Sequence, residues 1–208
     1  LLGIVAVTIT HHLASFALVA LLLGTALFST FLGQRAREAT PGLWGLALAA
    51  LGFVLFWNLA VAPDTSDYIS PVLKRAVDAV AGVITGRESG RAPFESSGSY
   101  QAPIWERLIG FVSILLILAA TPLGLWSFFR RAPKSALAWV LVLTALAYFP
   151  LQALRLTGPG WEIANRTSEY LYVGIGFVIS LAFLNRWLRR GSLLVAAAAG
   201  GFIGVIFL

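Results

Sequence analysis

Seven side chains in this 208-residue chain have the types and spacing to do chemistry: His11, His12, Arg155, Trp161, Glu162, Arg166 and Glu169. Imidazole changes charge near neutrality, so either histidine could take a proton from a hydroxyl or, once protonated, bind a phosphate. The same pair also reads as the polar part of an interfacial turn. Adjacent histidines point in different directions on a helix, and no third ligand stands at metal-like spacing, so no metal site is expected. Glu162, Arg166 and Glu169 stand at i, i+4 and i+7. On a helix they share one face. There Arg166 could grip an anionic group while a carboxylate acts as base, or the three could form a self-neutralising ladder of ion pairs. Arg155 lies across the Gly158-Pro159-Gly160 break from that ladder, with no partner close in sequence. It is the better anion-binding candidate. Trp161 sits inside the charged stretch.

Five of these residues fall in Leu154–Tyr172 (LRLTGPGWEIANRTSEYLY), a polar island between apolar runs. The island is conspicuous because charge is scarce: 12% of residues are charged, 59% are hydrophobic, and mean hydropathy is +0.86. A soluble domain carries about twice that charge. Several runs approach the roughly 20 apolar residues that cross a hydrocarbon core. The surrounding solvent is therefore lipid. The chain has no cysteine, which excludes disulfides and thiolate metal sites. It begins with Leu, shows no signal peptide, and stops inside an apolar run; it reads as a piece of a longer polytopic protein.

The elements that must position these residues follow from the apolar pattern. Residues 1–32 would make a helix of about 48 Å, too long for a core of about 30 Å. We expect a partial span at 1–9, a turn at Thr10–His12 with Thr10 as cap, and a span over 13–32. Pro41 fits the first turn of a span over 42–62. Within the long polar segment 63–104, Ser70-Pro71 reads as a cap and first position. The spacing of Val72, Leu73, Ala76, Val77, Val80, Val83 and Ile84 then predicts an amphipathic helix over 70–85, on the membrane surface or covering the bundle. Residues 86–101 read as a flexible Gly/Ser-rich stretch. Further spans are expected near 105–129 (kinked or locally unwound at Pro122), 136–152, 169–185 and 192–208. In the last, Ala196, Gly200 and Gly204 form a small-residue packing face. The fold class is all-α: one polytopic transmembrane helix bundle over 1–208, with about five full spans, a partial N-terminal span and an amphipathic outer helix.

Charge placement orients it. Three short loops carry Arg35, Arg37, Arg130, Arg131, Lys134, Arg186, Arg189 and Arg190 against one acid, Glu38, while the other side carries seven basic and eight acidic residues. Lys/Arg bias in short loops marks the cytoplasmic side. The histidine turn, segment 63–104 and the hinge 154–169 then face outward. The net charge of +6 is explained by these loops, so nucleic acid is not an expected partner; membrane lipids are. Thirteen arginines against two lysines fit a bacterial coding bias.

Other groups have plainer readings. Asp64 and Asp67 could bind a cation but also read as helix-entry residues. Trp44, Trp57, Trp126, Trp139, Trp161 and Trp187 lie near span ends, as an aromatic belt does. No phosphate loop, Rossmann fingerprint, nucleophile elbow or zinc-protease motif occurs. No span carries the buried acid or lysine of a proton relay, which disfavours a pump or ion-coupled transporter.

The histidine turn TITHHLASF, the return through APIWERLIGF, and YFPLQALRL followed by GWEIANRTSEYLYVG resemble bacterial polytopic glycan polymerases and lipid-sugar-dependent membrane glycosyltransferases. The resemblance covers most of the chain. It implies transfer from a lipid-linked (pyro)phosphate sugar at the outer face of the plasma membrane, with no soluble cofactor. Arg155 and Arg166 would hold the lipid pyrophosphate, and His11, His12 or Glu162 would activate the acceptor hydroxyl. Two other readings stand beside it: a non-catalytic transmembrane subunit of a larger complex, and a transporter.

Overall fold

The structure is a computed structural model and describes residues 1–32, 40–87, 103–131, 133–155 and 157–183. Among them there are seven α-helices and no strand. They are α1 (Leu2–Thr10), α2 (His12–Phe31), α3 (Thr40–Phe56), α4 (Pro63–Ile84), α5 (Ile104–Arg131), α6 (Ala136–Leu154) and α7 (Gly158–Phe183). A π-helical turn, Trp57–Val61, extends α3. The chain divides into two compact units, Leu1–Arg91 with Lys134–Gly174, and Ala92–Pro133 with Ile175–Leu208.

Among the described residues three helices are long and apolar enough to cross a membrane: Leu13–Phe31, Pro41–Val61 and Ile104–Arg131. The apolar part of α6, Ala136–Gln152, is shorter, about 26 Å at 1.5 Å per residue. Helix covers the expected 136–152 and the described part of 169–185, up to Phe183. The expected span at 192–208, with its small-residue face, lies outside the described residues, as do the loops at 33–39 and 186–190.

In the first unit α2 is the central helix and packs on α1, α3 and α6. Its apolar character runs around most of its circumference, which suits a helix with protein on several sides and lipid on the rest. Ile4, Val19, Ala50 and Val54 form a buried cluster with Leu18, Leu22 and Leu46 against it. Small residues set the spacing: Ala26, Ala47 and Ala50 are fully buried, and small side chains let helix backbones approach where lipid supplies no hydrophobic drive. Several hydroxyls of this unit donate within their own helices, Thr8 to the Ile4 carbonyl at 2.8 Å, Ser29 to Ala26 at 2.7 Å and Thr144 to Val140 at 2.8 Å. In an apolar surrounding that removes the cost of a bare O–H.

The α1–α2 turn falls where expected, but its cap is His11, not Thr10. The Thr10 hydroxyl bonds back to the Ala6 carbonyl at 2.8 Å inside α1, while His11 is extended (φ −154°, ψ 105°) and its Nδ1 accepts the Ala14 N–H at 3.4 Å. A threonine that can still reach the carbonyl four residues back stays with its helix.

The amphipathic helix starts seven residues earlier than its spacing suggests. Pro63 takes the first helical position, where its missing N–H costs nothing, and Asp64 lies in the first turn, favourable to the helix dipole. Ser70 and Pro71 are therefore interior residues of α4, not its start. Ala76 and Ala79 are buried, Lys74, Arg75 and Asp78 are exposed, and α4 packs on the π turn and α6. Val77 departs from the expected face at 56% exposure. The helix closes through Gly86 at φ +69°, with Arg87 N–H donating to Gly82 O at 2.8 Å; glycine takes that left-handed conformation without strain.

In the second unit α5 is continuous through Pro122, so of the expected kink or local unwinding the unwinding is absent. Its buried face is Thr121, Gly124, Ser127 and Phe128. A methyl on Gly124 would overlap the Val178 carbonyl oxygen. Arg130 and Arg131 occupy the last turn, where they complement the dipole, and Arg130 lies 4.2 Å over the Trp126 ring.

Candidate functional site

The polar island is mostly helix. The α6 helix runs on to Leu154, and Thr157 caps α7: its Oγ1 accepts the Gly160 N–H at 3.1 Å and its carbonyl accepts Trp161 N–H at 3.0 Å. Gly158-Pro159-Gly160 is accordingly the first turn of α7, and the expected break is only the short link at Arg155–Thr157. Pro near a helix start loses no hydrogen bond, and Gly160 is needed because a Cβ there would sit 2.5 Å from both Leu154 O and Thr157 Oγ1. Glu162, Arg166 and Glu169 are thus helical residues at i, i+4 and i+7.

This extended α7 brings the island to the histidine turn. The Tyr170 hydroxyl lies 3.3 Å from His11 Nδ1, with the rings edge-on at 6.4 Å between centroids. Below that contact runs a cavity of about 800 Å³ within the first unit. Its walls are α2 from Leu13 to Phe28, α6 from Val140 to Ala147, and α7 from Thr167 to Val173. The α2 wall spans about 22 Å along its axis. Apart from Thr144, whose hydroxyl is bonded to the Val140 carbonyl, the lining is apolar except at the His11 end, where Thr167, Glu169 and Tyr170 contribute; Glu169 is the one charged group among the described lining residues. Arg166 is exposed, one turn before Tyr170 on the same helix.

The seven residues singled out by sequence therefore separate. Glu169 lines the cavity and His11 touches its lining residue Tyr170, with Arg166 one turn before Tyr170 along α7. His12 opens α2 and Glu162 lies in the second turn of α7, their side chains being outside the described set. Trp161 is 41% exposed. Arg155 is elsewhere: one Nη donates to Ser168 Oγ at 3.3 Å, and its Nε is buried with no hydrogen-bond partner among the described residues. Beside it Tyr148 and Tyr172 share a side-chain hydrogen bond, their rings 5.5 Å apart. None of these four is among the described lining residues of the cavity. Arg155 thus ties the end of α6 to α7, rather than pairing with the ladder.

Two residues of interest carried no usable local signal. Tyr170 looks like one more belt aromatic; only its contact with a residue 159 positions away gives it a role. Asn58 is buried in the π turn, its Nδ2 donating to Val54 O at 2.8 Å; an apolar run gives no hint that its helix widens there. Among the described residues no group of three or more His, Asp or Glu could hold a metal ion. Against protein-family models, curated proteins and solved structures alike, the chain finds no match.

Proposed function

We propose that this is a multi-pass membrane protein that receives a lipid-linked substrate, with the hydrocarbon chain in the trough beside α2 and the polar head at the His11–Tyr170 end. In its specific form the reading is a glycosyltransferase or polysaccharide polymerase at the outer face of the bacterial plasma membrane, using a lipid-linked sugar donor. One observation carries it: a long apolar cavity whose polar lining groups Thr167, Glu169 and Tyr170 gather at the end where Tyr170 meets His11. Such a cavity matches an amphiphile better than a soluble sugar, whose hydroxyls would find no partners along its length.

The chemistry follows from the groups at the head. The acceptor hydroxyl attacks the anomeric carbon and its proton passes to a base of the site; the carbon–oxygen bond to the lipid (pyro)phosphate breaks. Arg166 stabilises the departing anion by charge-assisted hydrogen bonds. In this reading Glu169, which lines the cavity, takes the proton, with His11 at the adjoining turn as the alternative base. The test is sugar transfer from a lipid-linked donor in proteoliposomes. E169Q and R166A should each reduce transfer at least a hundredfold with the protein still folded; full activity in both would reject the reading.

A transmembrane-subunit role has one observation in its favour: only 11% of the apolar stretch of α5 is buried. Site-directed cross-linking from Leu115 and Trp126 distinguishes lipid from a protein neighbour there.

A further inference from the structure

The cavity has a far end as well as a head. On α2 its last lining residue is Phe28, and on α6 its first is Val140. The two helices are close at that level: a Cβ on Gly24 would lie 3.2 Å from a Val140 methyl. Phe28 stacks on Trp139, the residue before Val140, with ring centroids 6.1 Å apart and planes 6° from parallel. Two parallel rings thus stand where the lining stops on both helices. Above them much of the α2 wall is small, Ala14, Ala17, Ala20 and Gly24, which leaves room for a chain along the helix.

Depth sorts the possible occupants. The span on α2 is Leu13–Phe31, and its middle residue is Leu22. The lining continues past that level to Gly24 and Phe28, so the trough outruns one leaflet. A phospholipid tail belongs to a single leaflet and ends near the midplane. It would leave the lower trough empty, and a wall with no partner atoms loses its dispersion contacts outright. A single longer chain fills it. An extended chain advances about 1.2 Å per bond, since a three-bond residue spans at most about 3.6 Å. A wall of about 22 Å therefore takes roughly 18 bonds, or about four to five isoprene units.

We propose that the Phe28–Trp139 stack is the floor of a length gauge, and that the cavity holds roughly the first four to five isoprene units of a single-chain lipid. The proposal rests on the lipid-substrate reading and adds the class of lipid: one hydrocarbon chain longer than a leaflet is deep, not a two-chain phospholipid. Along one side of the trough Phe16 and Leu143 are 41% and 48% exposed. The chain enters there from the bilayer, and whatever exceeds the depth of the trough turns back out by the same side.

The experiment measures binding to the full chain in phosphatidylcholine nanodiscs of prenyl phosphates from roughly one to roughly eight isoprene units, the longest well beyond the depth of the trough. Affinity is expressed against mole fraction in the bilayer. That scale removes each lipid's partition from water and leaves its packing in the trough, because lipid tails are as apolar as the wall. Affinity is expected to rise about tenfold up to four to five units and then to level off. F28A should move the levelling point out by about one unit. F31A, at a residue 77% exposed and outside the described lining, should leave it in place. A17L narrows the trough about 6 Å below Leu13 and should bring the levelling point in to about one or two units, which decides the matter if F28A does not fold. Four results would each overturn the gauge while leaving saturable binding, and the lipid reading, intact: affinity flat with length, affinity climbing through the longest chain, a levelling point unmoved in F28A or A17L or moved in F31A, and equal competition by a two-chain phosphatidate. No saturable binding at any length would reject the lipid reading, and the gauge with it.

Discussion

Gly174 holds the α6–α7 seam at its minimum spacing, and replacing it tests whether that seam shapes the cavity. A Cβ at 174 would lie 2.5 Å from Leu141 O, 2.6 Å from Ala145 N and 2.9 Å from Thr144 Cβ. Two of the three are backbone atoms, so no side chain can swing aside, and the helices must part until Leu141 O reaches the 3.4 Å of ordinary contact. Overpacking of this kind costs about 1–3 kcal/mol, and a backbone obstruction belongs at the upper end. The substitution also gains about 1 kcal/mol of helix propensity. G174A is therefore expected to lose about 1–2 kcal/mol net, roughly a tenfold fall in the folding constant. Gly176, one position past the next residue, meets nothing within 4 Å, so G176A should be neutral or stabilising. Unfolding by SDS in mixed micelles, followed by tryptophan fluorescence, reads the difference. Because Leu141 and Thr144 also line the cavity, G174A should alter lipid binding and G176A should not. Equal midpoints for the two variants would refute the close-packed seam.

Other outcomes follow from single contacts. T157A removes the acceptor for Gly160 N–H and should cost about 1 kcal/mol, with T157S recovering most of it in the same denaturation assay. G86A places a methyl at φ +69° and should cost about 1 kcal/mol. E169Q should lower kcat for a lipid-linked donor in the transfer assay, and an unchanged kcat would remove Glu169 from the proton-taking role. Cysteines at 90 and 132 should be labelled from opposite sides of the membrane, and labelling from one side would remove the charge-bias orientation.

Much of the helical frame was legible because lipid makes hydropathy a direct signal. Leu13–Phe31, Pro41–Val61 and Ile104–Arg131 are long apolar runs, and no soluble fold buries them so simply. What failed was punctuation. Pro71 and the Gly158-Pro159-Gly160 triplet look like boundaries, yet one lies inside α4 and the other inside the first turn of α7. The first failed because Pro63 had already opened the helix, the second because Thr157 supplies a cap upstream of residues that otherwise break helices. The histidine turn was found by its polarity in an apolar run, but the identity of its cap depended on a competition between Thr10 and His11 for backbone partners. The site was legible as two stretches and not as a place. Nothing local joins His11 to Tyr170, and nothing local separates Arg155 from Arg166. Both follow from how far α7 extends toward the turn.

The most direct measurement is photo-cross-linking with a polyprenyl phosphate that carries a photoreactive group near the middle of its chain, mapped by peptide mass spectrometry. Adducts concentrated on Leu18, Leu21, Leu143 and Ala147, competed by unlabelled polyprenyl phosphate and weakened by R166A, are the expected result. Adducts spread over the exposed apolar faces of α3 and α5, without competition, would show ordinary bilayer contact and contradict a lipid-substrate cavity.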